Sequence, residues 1–210
     1  MNSRVITAIE PYPKGKGYAV YINDEFAFVL YKGELSKYSL SPGMEMDDEL
    51  YGRIVEVLTL RAKKRGMNLL KTMDRTEADV RRRLSEGRYP PEAVDAAIEY
   101  LLSYHYLDDM RYATDFIGFK SSRFSRKMIT VKLSEKGIAR AVIEEAFSKY
   151  DEDCGRSGQE REEELISSII NKRYPGGISE LDYAGRQKMY AYLYGKGFSM
   201  SAIENVCSKM

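Results

Sequence analysis

Tryptophan is absent from this 210-residue chain, histidine occurs once and cysteine twice. Each scarcity excludes something. Cys154 and Cys207 lie far apart with no Cys-x-x-Cys or Cys/His spacing, so neither a disulfide framework nor a zinc site is suggested. They read as one linker thiol and one buried thiol. His105 sits among Tyr104, Tyr106 and Leu107 at an expected helix end, with no identifiable partner for acid–base work, which favours a structural or helix-capping role. No window approaches the roughly 20 apolar residues that a spanning helix needs, and the first residues lack an apolar signal-peptide core, so a cytoplasmic protein is expected. Lys14-Gly-Lys-Gly17 lacks the Gly-x4-Gly-Lys-Ser/Thr spacing of a phosphate-binding loop and reads as a basic turn between strands. The adjacent carboxylates Asp108 and Asp109 suit a helix start better than a metal. No catalytic residue, metal or cofactor is implied, and an enzyme is the least supported class.

What the chain does have is a repeat. The apolar spacing Ile129, Leu133, Ile138, Ile143, Phe147 recurs without a gap as Val80, Leu84, Tyr89, Val94, Ile98 and as Met189, Leu193, Phe198, Ile203, Cys207. Each copy reads as a helix ending near the Leu, a tight turn bearing Gly87, Gly137 or Gly197, and a second helix with apolar residues three to five apart. The first copy departs slightly: Gly87 comes one residue early, and Arg88 stands where the others have Gly.

From Arg4 to Tyr31 the period is two. Val5, Tyr18, Val20, Ile22, Phe26, Phe28 and Leu30 mark three short strands, with Asn23-Asp24 as a two-residue hairpin turn. Three strands bury little alone, so this meander must pack on a helix. A short helix over Glu34 to Leu40 and a break at Ser41-Pro-Gly43 follow. Helical periodicity begins at Asp47-Asp-Glu49 with an apolar stripe of Tyr51, Ile54, Val55, Leu58 and Ala62, which Gly66 is expected to end. Thr76 caps the next helix, Pro90-Pro91 opens a third, Leu107-Asp-Asp109 caps a fourth with Tyr112, Phe116 and Ile117 inward, and the second hairpin follows Ser125.

The expected fold class is therefore mainly α: three tandem three-helix repeats, each a leading helix plus a hairpin, behind a small N-terminal antiparallel β meander. The divisions are 1–45 for the β-rich segment, 46–107 for the first repeat, 108–150 for the second, 151–158 for a flexible acidic joint, and 159–210 for the third. The joint rests on Asp-Glu-Asp-Cys-Gly-Arg-Ser-Gly, which has two glycines and no apolar periodicity.

A net charge of +1 conceals an uneven distribution. The stretch from Arg61 to Arg140 is basic and the one from Ala141 to Glu164 acidic. Arg81, Arg82 and Arg83 occupy one helix, and Arg126, Lys132, Lys136 and Arg140 recur in the second unit, a density that suits phosphates or an acidic protein groove. For any one of them a solvated face balanced by Glu77, Asp79 and Glu86 is nearly as good a reading.

Tyr106-Leu-Asp-Asp-Met-Arg-Tyr-Ala113, preceded by Arg81-Arg-Arg-Leu-Ser-Glu-Gly87 with Val94, Ile98 and Leu101, and followed by Lys132-Leu-Ser-Glu-Lys-Gly-Ile138, resembles the RecX family of bacterial recombination regulators. The resemblance runs from about Met46 to the C-terminus. It implies three tandem three-helix repeats and a role without catalysis in homologous recombination, DNA repair and the SOS response. The partner it implies is the RecA filament on single-stranded DNA, whose ATP hydrolysis and strand exchange the protein would limit. Arg81, Arg82, Arg83, Arg126, Lys132, Lys136 and Arg140 then become the filament-facing or DNA-binding set, on a monomer reaching single-stranded DNA through the filament. The longer step to the third repeat and the β-rich N-terminus depart from the family pattern. Two alternatives are a helix-turn-helix DNA-binding protein, which would prefer one duplex sequence, and a plain helical-repeat interaction scaffold.

Overall fold

Asn23 and Asp24 reverse the chain with φ of 51° and 67°, the left-handed values that a two-residue hairpin turn requires. β2 (Gly17–Ile22) thereby pairs antiparallel with β3 (Glu25–Tyr31), Ile22 opposite Glu25 and Val20 opposite Phe28. The computed structural model describes residues 3–13, 15–155 and 157–210. Lys14 of the basic turn and Arg156 of the expected joint lie outside them. β1 (Arg4–Pro11) joins the other side of β2, and a fourth strand, β4 (Glu45–Met46), pairs with β1, giving the order β3-β2-β1-β4. A two-residue strand carries no alternation, so the sequence pattern shows only three. The short helix α1 is Lys32–Lys37, shifted toward β3 from the expected span.

The chain forms two units, one ending at Leu107 and one beginning at Asp108. In the first, α2 (Asp48–Thr72) carries both cores. Asp47 caps it by accepting from the Leu50 N–H at 2.7 Å. Its inward stripe is Leu50, Ile54, Leu58, Ala62, Gly66 and Leu69. The upper part meets Ile6, Val20, Phe28 and Leu30 of the sheet, and the lower part meets α3 (Glu77–Glu86) and α4 (Pro91–Ser103) through Val80, Leu84, Val94, Ile98 and Leu101. Gly66 does not end the helix. A Cβ there would lie 2.7 Å from Leu101 Cδ1, so the glycine lets α2 and α4 approach closely instead.

The second unit contains α5 (Asp109–Lys120), α6 (Arg126–Glu135) and α7 (Arg140–Cys154), then α8 (Gly158–Arg173), a 3-10 turn over Ile178–Glu180, α9 (Tyr183–Gly195) and α10 (Met200–Lys209). Each triplet of helices encloses its own core. The three hairpins, α3/α4, α6/α7 and α9/α10, close by one device. The N–H of Tyr89, Ile138 and Phe198 returns to the carbonyl of Leu84, Leu133 and Leu193, the bond of a helix closed by a left-handed residue. That residue is Gly137 at φ 82° and Gly197 at φ 89°. In the first repeat Arg88 takes it at φ 62°, while Gly87 stays at φ −73°. Of the fifteen repeat positions only Tyr89 and Cys207 are half-buried; the rest are buried. His105, exposed and at φ 55°, fills the same left-handed role after α4, where the Tyr106 N–H returns to the Leu101 carbonyl.

The expected joint differs. Asp151 to Cys154 form the last turn of α7, Gly155 ends it at φ 61°, and Ser157 opens α8 with a reciprocal cap to Glu160. Polar composition conceals the last turn of one helix and the cap of the next, and Cys154 is an exposed helix residue instead of a linker thiol. Cys207 is half-buried.

Candidate nucleic-acid interface

Three arginines on α3 cannot all face inward, and the structure shows how their charge is handled. Arg81 pairs with Glu77 one turn earlier and with Asp95 of α4. Arg82 pairs with Asp79 and with Glu86, the latter at 2.6 Å. Arg83 Nε reaches Asp79 at 3.0 Å, and Arg75 reaches the same carboxylate at 2.7 Å. Burial alone would raise the Asp79 carboxyl, but hydrogen bonds from Arg75, Arg83 and Arg82 outweigh it and hold the group at about 2. The triplet is thus a balanced network whose exposed members can exchange partners at little cost.

Arg126 belongs to a different setting. Its guanidinium donates to Asp151 at 3.0 Å and lies 4.2 Å from the centre of the Phe147 ring. Burial lowers its pKa, with Glu162 and Glu144 acting in the opposite direction. Arg161 of α8 takes the other Asp151 oxygen and stacks on Tyr150 at 4.5 Å. A Cβ at Gly158 would meet Arg126 Nη1 at 2.9 Å, so glycine at the start of α8 leaves room for this pair. Arg126 therefore ties α6 to the end of α7 within the second repeat, and Arg161 joins the third repeat to the same carboxylate, within the run expected to be flexible. The half-exposed charge of Arg126 is already committed.

The cations of α5 and α6 are arranged otherwise. Lys132 Nζ stands 5.3 Å from the centre of the Phe124 ring, and Lys136 Nζ stands 5.6 Å and 6.0 Å from Tyr112 and Phe116. Lys120 adds a third, 5.9 Å from Phe116. Tyr112 and Phe116 lie one turn apart on α5 with near-parallel rings at 6.3 Å and 16°. Among the described residues no carboxylate comes within ion-pair distance of Lys120 or Lys132. Three lysines above three half-buried rings, which pack against the core of the second repeat, make a basic strip edged by aromatic side chains, and such a strip can hold phosphates. Arg140, 85% exposed at the start of α7, pairs with Glu144 at 2.7 Å and stands apart from the strip.

Of the seven sequence-derived residues, the structure brings Lys132 and Lys136 into the strip. It places Arg81, Arg82 and Arg83 in the α3 network and Arg126 at the α7–α8 connection. Sequence reasoning missed Lys120, Tyr112, Phe116 and Phe124 as parts of a surface. The spacing of Tyr112, Phe116 and Lys120 at every fourth residue was the available signal. Tyr112 and Phe116 read there as inward, and they do pack against the core, half-buried beside the fully buried Ala113 and Ile117.

Comparison with known families matches three successive stretches. Residues 62–101 fit the RecX first three-helix domain, 108–146 the second and 160–207 the third. The regulatory protein RecX of Clostridium acetobutylicum is 29% identical over 214 residues, spanning 100% of this chain and 98% of the relative. That of Clostridioides difficile is 26% identical, spanning 98% and 95%. These relatives align through the N-terminal sheet too, beyond the stretch in which the sequence motifs are recognisable. In fold, a crystal structure of regulatory protein RecX superposes with a TM-score of 0.59 at 24% identity, covering 97% of this chain and 98% of that one. A crystal structure of RecX from Lactobacillus salivarius gives 0.60 at 22%, covering 73% and 97%.

Proposed function

The chain belongs to the RecX family of regulatory proteins, and from that premise we propose that it binds the RecA filament on single-stranded DNA and limits its ATP hydrolysis and strand exchange. A regulator of this kind works through its surface, so the question is which surface. The observation that carries the reading is the α5–α6 strip, where Lys120, Lys132 and Lys136 stand over Tyr112, Phe116 and Phe124. Lysines on such a strip meet phosphates without reading sequence, and the exposed edges of the half-buried rings add contact that is equally indifferent to the base. Both properties suit a filament assembled on arbitrary single strands better than a duplex operator. Arg81, Arg82, Arg83 and Arg140 add to the same function, Arg81, Arg82 and Arg140 through exposed pairs with Asp95, Glu86 and Glu144 that a partner's charges can displace, and Arg83 from its part-buried place beside Asp79. In this reading the protein acts in the cytoplasm as a monomer, and its repeats make contact as rigid three-helix blocks.

The test is to titrate the protein into RecA assembled on single-stranded DNA while following ATP hydrolysis. Hydrolysis should fall as the protein is added, and fall less at higher salt, because each phosphate contact made by a cation releases counterions. Undiminished hydrolysis at all concentrations of folded protein, at low salt, would refute the reading.

A further inference from the structure

Between the second and third repeats lies a groove of about 880 Å³ that the strip does not include. Its floor is formed by Phe147 of α7 and Phe198 of the α9–α10 turn, both buried. Along it stand Val131 of α6, Tyr194 of α9 and Met200 of α10, with 46%, 59% and 45% of their surfaces exposed. Three large apolar side chains from three helices converge on one concavity. Scattered exposed apolar residues are ordinary, whereas a convergent set in a groove is characteristic of a contact.

The charge of the groove points to the kind of occupant. Lys127 and Arg140 lie on its rim, with Arg126 and Glu162 deeper and Glu144 beside Arg140. Arg126 is held by Asp151. Lys127 has no carboxylate within ion-pair distance among the described residues, and the exposed Arg140–Glu144 pair is of the kind that contributes little and exchanges readily. A nucleic acid strand would need several uncommitted cations and a row of flat faces, and of the three rings here Phe147 and Phe198 are buried, which leaves Tyr194 exposed beside Val131 and Met200. An amphipathic helix fits better, because its apolar residues one turn apart fill such a groove while its charged edge meets the rim.

We infer that this groove docks an amphipathic helix of the recombinase, with apolar side chains between Val131, Tyr194 and Met200 and with carboxylates along one edge facing Lys127 and Arg140. The inference rests on the proposed recombinase partner and assigns a protein contact separate from the α5–α6 strip.

The experiment uses the full chain with Val131→Asp and Met200→Asp combined, both at exposed positions, and with Leu60→Asp as a control at an exposed leucine of α2. Binding to RecA on single-stranded DNA and to a bare fluorescent oligonucleotide is measured for each, with circular dichroism to establish folding. The groove variant should bind the filament at least about tenfold more weakly, with oligonucleotide binding unchanged and the control equal to wild type. A photo-crosslinker placed at residue 131 or 200 of the otherwise native chain should capture RecA, and one at residue 60 should not. This second measurement stands even if the double variant misfolds. Wild-type affinity of the folded groove variant for the filament overturns the groove and leaves the proposed function standing. Loss of oligonucleotide binding instead overturns it in favour of nucleic acid. Failure of the wild type itself to bind the filament overturns both.

Discussion

The Ser125 hydroxyl donates to the Lys196 carbonyl at 3.0 Å and accepts from the Met128 N–H at 3.2 Å, so one buried side chain caps α6 and ties the second repeat to the turn of the third. The adjacent Gly197 is part of this contact: at φ 89°, a Cβ there would stand 2.6 Å from Ser125 Oγ. Ser125→Ala should cost about 0.5 to 2 kcal/mol for the lost cap, and Gly197→Ala should cost more, since it combines backbone strain with collision. Urea denaturation measures both. If each falls within about 0.5 kcal/mol of wild type, the level of an unexceptional surface change, this seam contributes nothing to stability.

Leu84, Leu133 and Leu193 are each fully buried at the same point of their repeats. Truncating any of them to Ala should lose about 2 to 5 kcal/mol, the transfer free energy of the side chain plus the cavity it leaves. Three comparable losses are expected in chemical denaturation. One leucine that could be removed without effect would break the equivalence of the repeats.

Arg88 occupies the left-handed position that glycine takes in the other two hairpins. Arg88→Gly should therefore relieve roughly 1 kcal/mol of backbone strain. It also gives up the stacking of the guanidinium, 5.3 Å from the Phe26 ring, worth about 0.5 to 1 kcal/mol at an exposed site. The net change should be small and should become clearly stabilising when Phe26→Ala is already present. Equal effects of Arg88→Gly in both backgrounds would exclude the cation–ring contact.

The Asp79 carboxyl lies below its ordinary value of 3.8, at about 2. The sign follows: its contribution is complete above about pH 4 and is lost as pH falls through about 2. Asp79→Asn should cost roughly 1 to 3 kcal/mol at pH 7, as expected for hydrogen bonds to charged groups. The difference from wild type should shrink between pH 4 and pH 2. A gap that stays constant across that range would show that the arginines do not act through the charge of Asp79.

Lys120→Glu with Lys132→Glu should leave melting close to wild type, because neither lysine has a carboxylate partner among the described residues. Binding to the RecA filament should fall about tenfold or more, with a shallower salt dependence. Arg82→Glu, which disturbs a balanced network, should weaken binding less while lowering stability. The reverse order would move the working surface from α5–α6 to α3.

The repeats were legible because burial fixes their spacing: Leu84, Leu133 and Leu193 cannot change without a cavity. Gly87 read as the turn glycine of the first copy, whereas the left-handed position falls on Arg88, one residue later and in register with Gly137 and Gly197. The misreadings have physical reasons. Gly66 looked like a helix end because its partner, Leu101, is distant in sequence. Ser157 and Glu160 form a capping box whose spacing is present in the chain, but two glycines and a run of acids beside it suggested a linker. The candidate surface was half legible. Lysine positions can be read directly, whereas the rings beneath them, and the commitment of Arg126 to Asp151, exist only after helices distant in sequence have packed.

Since α2 supplies Leu50, Ile54 and Leu58 to the sheet and Ala62 and Leu69 to the first repeat, the two cores share a single 25-residue rod. Helices melt cooperatively, so loosening one half of the rod weakens the support of the other. The sheet thus acts as a clamp on the first repeat. A force or a binding partner that peels β1 away would be felt at the α3 arginines, through a lever made of one continuous run of backbone hydrogen bonds.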